Sequence, residues 1–287
     1  MITRRPFLHS SLRVLALAGL AVVGSGHARS TTALRFSPDN QHGIELTANY
    51  WNPIIEHVSV RSGVKLQLKL GRTSTDTTAH VLANEVEFVF SNHLFSPERD
   101  KLGWKVFGRR DTPPLHSEIV VLADSPIQTL EQLAGQPVAF PGPEALIAYK
   151  FSHAHLLGRK VAVEVVFAGN MDAALAQLAS GKVRAVGANS QLTDGWSRRE
   201  NRPLRRLWRS EPLHDLALMA SRKVSPRDLQ AVSKAFLEMG QDPQGRQVLA
   251  RAAELVKLPS GTAFVPSDGS EYGAYRNFYQ TAPVDLR

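Results

Sequence analysis

The sequence contains no cysteine among its 287 residues. That excludes a disulfide framework, a thiolate-held metal and anchoring through a lipidated cysteine. Beyond the amino-terminal segment, no apolar run is long enough to cross a membrane. The nucleophile elbow, the phosphate-binding loop and the dinucleotide fingerprint are all missing. His153 and His155 stand two apart, which on a helix turns them to different faces and makes a poor metal pair. No carboxylate pair stands out either, so neither a metal nor a cofactor is expected.

Acids are absent from the first 28 residues, which carry Arg4, Arg5 and Arg13. A basic start, an apolar core from Leu12 to Val23 and small residues before Ala28 form the three-part pattern of a secretory signal, expected to span 1–28. Thr3-Arg4-Arg5-Pro6-Phe7-Leu8 has the look of a twin-arginine export motif. The formal net charge is +8; setting those three arginines aside leaves 31 basic residues against 26 acids, a net +5. The densest basic cluster, Arg198 to Arg209 around Trp208, has neither an RNA-binding signature nor zinc-finger spacing. A solvated basic surface is therefore expected there, and no nucleic-acid partner.

The chain is organised around Ser117 to Glu144. An apolar run, Ile119 to Ala123, reads as a buried strand and is broken by Asp124-Ser125-Pro126. A short helical pattern carries Leu130 and Leu133 on one face and stops at Gly135. Pro137 to Phe140 reads as another strand, and Pro141-Gly142-Pro143 leads into a helix pattern that ends at Gly158.

On either side, strands and helices alternate. Leu34 to Ser37 is a strand candidate, with Pro38-Asp39-Asn40 as a turn. Ile44 to Val60 has helical spacing, with a break or kink expected at Pro53. Val64 to Leu70 alternates as a half-buried strand. Gly71 to Thr78 opens a short helix; its amides and hydroxyls suit either a ligand lip or an ordinary cap. Glu87 to Phe90 is a strand delivering Ser91, Asn92 and His93 to its carboxyl end, where ligands gather in open α/β sheets. Val161 to Phe167, the helix from Ala173 to Ala179 and the strand from Val183 to Ala188 follow, the last delivering Asn189. Leu216 to Ala220 is a further strand, with helices from Arg227 to Met239 and from Pro243 to Leu255. Such alternation predicts a mainly parallel α/β sheet.

The order strand, Asp124-Ser125-Pro126-Ile127, Leu130-x-x-Leu133-Ala134-Gly135, Pro137-Val138-Ala139-Phe140 and loop into helix resembles extracytoplasmic solute-binding proteins. More narrowly, it resembles the phosphate/phosphite/phosphonate-binding family of ABC importers. DAALAQLASGKVRAVGAN (172–189) and LALMASRKVSPRDLQAVSKAFLEM (216–239) carry the same resemblance. It implies a two-lobed α/β periplasmic-binding-protein fold of type 2 kind, with discontinuous lobes joined by two crossing strands. Lobe one would hold 29–118 and 221–287, and lobe two 119–220. It further implies a periplasmic, non-enzymatic monomer that captures a small polar or anionic molecule and presents it to a membrane permease. A sensor subunit serving a membrane receptor and an exported enzyme on a similar fold are the alternatives.

The ligand-binding candidates are Thr75, Asn92, His93 and Ser117 on the first lobe or its crossing, and Glu144, Tyr149, Asn170 and Asn189 on the second. At two places the chain departs from the family. Pro143-Glu144-Ala145-Leu146 stands where a Ser/Thr run would grip a phosphonate, and Met171 stands where a histidine is usual. If the helix began at Pro143, Glu144 would occupy the positive helix end and repel a phosphonate dianion, or else point to solvent.

Overall fold

A computed structural model of the protein describes residues 1–2 and 32–287; the rest of the expected signal segment lies outside the described residues. From the described chain two separate sheets form. The elements run β1 (Leu34–Pro38), α1 (Ile44–Ser62), β2 (Leu66–Leu68), α2 (Ser74–Leu82), β3 (Phe88–Ser91), α3 (Pro97–Asp100) and β4 (Lys105–Arg110). Next come β5 (Ser117–Leu122), β6 (Pro137–Phe140), a π-helical segment (Leu146–Phe151), α4 (Ser152–Gly158), β7 (Glu164–Phe167), α5 (Met171–Ala179), β8 (Ala185–Asn189), α6 (Ser190–Glu200) and β9 (Leu204–Arg209). β10 (Ala217–Ala220), α7 (Pro226–Leu237), α8 (Pro243–Val256), β11 (Phe264–Pro266) and α9 (Gly273–Thr281) complete the order.

The first sheet has the order β11-β4-β10-β3-β1-β2 and the second β7-β6-β8-β5-β9. The expected mainly parallel arrangement is not what forms. The pairs made by β1 with β2 and β3, and by β6 with β7 and β8, are parallel. β10 runs antiparallel to both β3 and β4, β11 to β4, and β5 to both β8 and β9. The βα crossovers give the parallel pairs, as the alternation predicts. The antiparallel strands enter from the long connections between the sheets, which local periodicity does not describe.

α1 continues through Pro53 instead of breaking there. The proline is exposed, so its ring and the carbonyl it leaves unpaired face water. On the other face Tyr50, Trp51, Ile54, Ile55 and Val58 are buried at helical spacing, and that burial holds the helix together. The half-buried strand expected over Val64 to Leu70 shortens to the three residues of β2.

The basic cluster has a structural use. Its carboxyl-terminal part is β9, an edge strand beside β5, and α6 supplies the rest. Arg206 Nε and Arg209 Nε each donate to Oε1 of the fully buried Glu118, at 2.6 and 2.7 Å, while Thr193 Oγ1 donates to its Oε2 at 3.0 Å. A carboxylate with no access to water is tolerated only when its charge and lone pairs are matched in this way.

A second buried ion pair lies where the chain returns to the first sheet. Arg110 Nε donates to Asp215 Oδ2 at 2.8 Å and Nη2 to Oδ1 at 3.2 Å, and neither side chain is more than 2% exposed. The guanidinium also lies 4.6 Å from the centre of the Phe90 ring. Burial acts to lower the Arg110 pKa, but the charge and hydrogen bonds of Asp215 together with the Tyr50 hydroxyl outweigh it, and the net shift is upward.

Gly187 in β8 is required by packing. A Cβ there would come within 2.2 Å of the Phe140 ring and 2.5 Å of the Ala148 carbonyl oxygen. The second obstacle is backbone of the π-helical segment and cannot swing aside. Gly187→Ala is therefore expected to destabilise the protein by about 1–3 kcal/mol. Urea unfolding should show this as a lower midpoint at an unchanged slope.

Candidate functional site

The carboxyl ends of β1, β3, β6 and β8 converge on a narrow cleft of about 50 Å³, where the starts of α2 and α5 also meet it. β1 leads into Asp39, Asn40 and Gln41, β3 into Asn92 and His93, β6 into Pro141, and β8 ends at Asn189. Ser74 comes from the first turn of α2 and Met171 from that of α5. Ala145 to Ala148, Leu192 and Leu216 complete an otherwise apolar wall.

One polar network lies along the first-sheet side. His93 Nδ1 is 3.0 Å from Thr78 Oγ1, and its Nε2 is 3.1 Å from Asp39 Oδ2. The Asn92 backbone N–H donates to the same Asp39 oxygen at 3.3 Å. Burial pushes the His93 ring down from the usual histidine value, against the pull of Asp39 and Glu144. A neutral ring that accepts from Thr78 and donates to Asp39 satisfies both contacts. Burial likewise pushes the Asp39 carboxyl up, more than the His93 charge and the hydrogen bonds from Ser91 and Asn92 bring it down.

Contacts from both sheets close the cleft. Arg110 Nη2 donates to Gln191 Oε1 of α6 at 3.0 Å and to Gln41 Oε1 at 3.2 Å. The Ser74 N–H donates to the Gly169 carbonyl at 3.3 Å. Asp172 of α5 faces His42 Nδ1 at 3.3 Å, accepts from the Gly43 N–H at 3.4 Å and is held from its own side by Arg199 at 2.7 Å. Burial pushes the Asp172 carboxyl up, but the hydrogen bond and charge of His42 and then Arg199 outweigh it, leaving it below its ordinary 3.8.

Among the sequence candidates, Asn92, His93 and Asn189 line the cleft together. Asn189 also caps α6, accepting the Gln191 N–H at 2.9 Å through Oδ1 and leaving its amide nitrogen for the cleft. The other five lie off the lining. Thr75 is exposed, one residue beyond Ser74. Ser117 is buried against Ser152, Oγ to Oγ 2.8 Å. Tyr149 packs among Phe140, Phe167 and His153. Asn170 is spent on capping α5, accepting from the Ala173 N–H at 2.9 Å.

Glu144 differs most from expectation. The helical segment starts at Leu146 with Ala145 as its cap, so Glu144 precedes the first turn. Arg99 Nη1 lies 2.8 Å from its Oε2, an ion pair without the alignment of a hydrogen bond. Burial raises the Glu144 carboxyl, yet contact with Arg99 and the charges of Arg99, His93 and Lys150 bring it below the usual glutamate value. A carboxylate neutralised in this way does not supply the expected repulsion at a helix end.

Sequence reasoning passed over Asp39, Gln41 and Ser74. Asp39 follows β1 as Asn92 follows β3, so the strand-end rule applied to Pro38-Asp39-Asn40 would have found it. Among the described residues no group of three histidine, aspartate or glutamate side chains could hold a metal ion. His155 stacks on Trp208 with ring centres 4.1 Å apart, and His153 stacks on Tyr149, consistent with their facing different ways.

Two mixed α/β sheets with a cleft at their strand ends define a two-lobed periplasmic solute-binding fold. Residues 43–272 match the family described as "ABC transporter, phosphonate, periplasmic substrate-binding protein", and the chain belongs to that family. Its members are the solute-binding components of importers. Three solved structures share the fold. A binding protein of an ABC phosphonate transporter from Pseudomonas aeruginosa is 15% identical, with a TM-score of 0.72 and 86% of each chain covered. PhnD1 from Prochlorococcus marinus, in complex with methylphosphonate, is 14% identical with a TM-score of 0.72, over 86% of this chain and 97% of that one. A Xanthomonas citri protein bound to ATP is 14% identical with a TM-score of 0.65, over 86% and 96%. No curated protein sequence matches.

Asp172 yields a pH prediction. Because its folded pKa is lowered, its contribution to stability is fully present above the unfolded value near 3.8 and is lost as pH falls through the folded value. Thermal melts of the wild type should drop steeply in that acid range. Asp172→Asn should melt lower at neutral pH and decline less steeply below 3.8; parallel curves for the two proteins would contradict this.

Proposed function

We propose that this protein captures one small solute in the cleft described above and closes two lobes over it, and that the closed form is what a membrane permease receives. The observation that carries this reading is that one cleft is lined from both sheets and spanned by contacts between them, namely Arg110 with Gln191, Ser74 with Gly169, and Asp172 with His42 and Gly43. Such contacts exist only when the lobes meet, so a solute that favours the closed form shifts the population toward it. No chemical step is assigned.

The lobes we propose follow the expected bounds, 29–118 with 221–287 and 119–220, moved by a few residues so that β5 (Ser117–Leu122) stays whole in the second lobe and β10 (Ala217–Ala220) in the first. The isolated bridge between Leu115 and Leu213, which belongs to neither sheet, supports both crossings lying beside it. Export to the periplasm, suggested by the amino-terminal signal pattern, and action as a monomer belong to the same proposal.

A thermal-shift screen against phosphonates, other oxyanions, amino acids, sugars and small amines tests capture. A solute at one hundred times its dissociation constant stabilises by about 2.7 kcal/mol. Small-angle scattering should then show a smaller radius of gyration with the hit than without it. Gly142 permits the closure: a Cβ there would lie 2.0 Å from Ser74 Oγ and 3.4 Å from its Cβ. Alanine needs only a rotation of the Ser74 hydroxyl, but a larger side chain reaches the body of α2. Gly142→Leu is expected to hold the lobes apart, with a larger radius of gyration and at least tenfold weaker binding. A Leu variant that closes and binds like the wild type would overturn the closure reading.

A further inference from the structure

The lining of the cleft indicates the class of solute, if the cleft is the capture site proposed above. Among the described residues neither lysine nor arginine lines it. Nearby cations are engaged elsewhere: Arg99 with Glu144, Arg110 with Asp215, and Lys150 with the Arg287 carbonyl and the Tyr279 ring. A phosphonate or carboxylate entering here would find amide and hydroxyl donors but no unpaired positive charge, and it would approach the Asp39 carboxylate.

What the cleft offers is the reverse. Asp39 is 9% exposed and lines the cleft, and its contacts with the Asn92 N–H and with His93 Nε2 both fall on Oδ2, so that Oδ1 is shared with no more than the Ser91 hydroxyl and can accept from a ligand. The neutral His93 ring orients this carboxylate without cancelling its charge. Burial holds the Asp39 carboxyl above its ordinary pKa, as expected of an acid whose charge the chain does not fully match. Ser74 Oγ is a second buried polar atom at the cleft, and no group among the described residues hydrogen-bonds it. Facing these polar groups, Leu146, Ile147, Met171 and Leu192 form an apolar wall.

We propose that the cleft selects a small organic cation, with an ammonium group against Asp39, Ser74 and Asn92 as hydrogen-bonding neighbours, and a compact apolar body among Leu146, Ile147, Met171 and Leu192. An ammonium group brings donors where the cleft has an acceptor, and a charge opposite to the one buried there.

Calorimetric titration of the full chain with isobutylammonium, choline and methylphosphonate tests this assignment. One of the two cations is expected to bind at least about tenfold tighter than methylphosphonate, a difference of roughly 1.4 kcal/mol. Because the probe cations stay charged, their affinity should rise with pH as Asp39 ionises, at pH values above its ordinary 3.8. Asp39→Asn, which keeps the shape of the side chain, should lose at least tenfold in cation binding while circular dichroism stays native. If that variant does not fold, the wild-type pH profile decides, and a flat one overturns the assignment. Tight methylphosphonate binding with no cation binding, or cation binding unchanged in Asp39→Asn, also overturns it while leaving solute capture standing. No response to any solute in the wider screen would instead overturn capture itself.

Discussion

The arrangement of the two sheets depends on the buried pair of Arg110 and Asp215. Arg110 ends β4 and Asp215 stands just before β10, so the pair fixes the place where the chain comes back to the first sheet. The remaining donors of the guanidinium reach Gln41, Tyr50 and, on α6, Gln191. Asp215 in turn accepts from Thr112 Oγ1 and the Leu216 N–H, and its carbonyl receives the Tyr272 hydroxyl at 2.8 Å. Removing either charge would leave the other buried and unmatched, which typically costs about 3–5 kcal/mol. Strand return, cleft edge and the carboxyl-terminal aromatic packing thus share one electrostatic anchor.

Around that anchor the cleft is built from strand ends whose side chains divide into two kinds. Asn40, Asn170 and much of Gln41 are used up by backbone or by Arg110, and they shape the site without offering it free groups. Asp39, Ser74, Asn92 and Asn189 keep some capacity. The difference follows from local demand: a residue that caps a helix or braces a loop has its oxygen committed before any ligand arrives.

Much of this was legible in the sequence. The β–α alternation around β1 to β3 and β6 to β8 follows from short apolar runs and capped helices, and strand ends point to Asn92, His93 and Asn189. α6 and β9 were not legible as elements, because SQLTDGWSRRE and LRRLWR are polar or basic at most positions. Their stability comes from Glu118, more than seventy residues earlier in the chain, and from pairing with β5. The role of Glu144 was hidden for a similar reason. Its partner Arg99 is remote in sequence, and the π-helical start at Leu146 displaces the helix end by a few residues. A one-dimensional pattern carries periodicity and capping, but not which distant charge will neutralise a given acid.

The placement of β9 bears on how the protein behaves at high concentration. An edge strand exposes unpaired backbone groups that can template the addition of another chain. On β9, Arg206 and Arg209 are each about two-fifths exposed, with their charges turned toward Glu118 at one end and water at the other. A second molecule approaching that edge would meet like charge along the strand. The opposite edge of the same sheet is β7, where Phe167 is 46% exposed and Glu164 is the charged residue. The second sheet is therefore guarded on one side only, and crowding or partial opening would expose its β7 side first to unwanted sheet-to-sheet association.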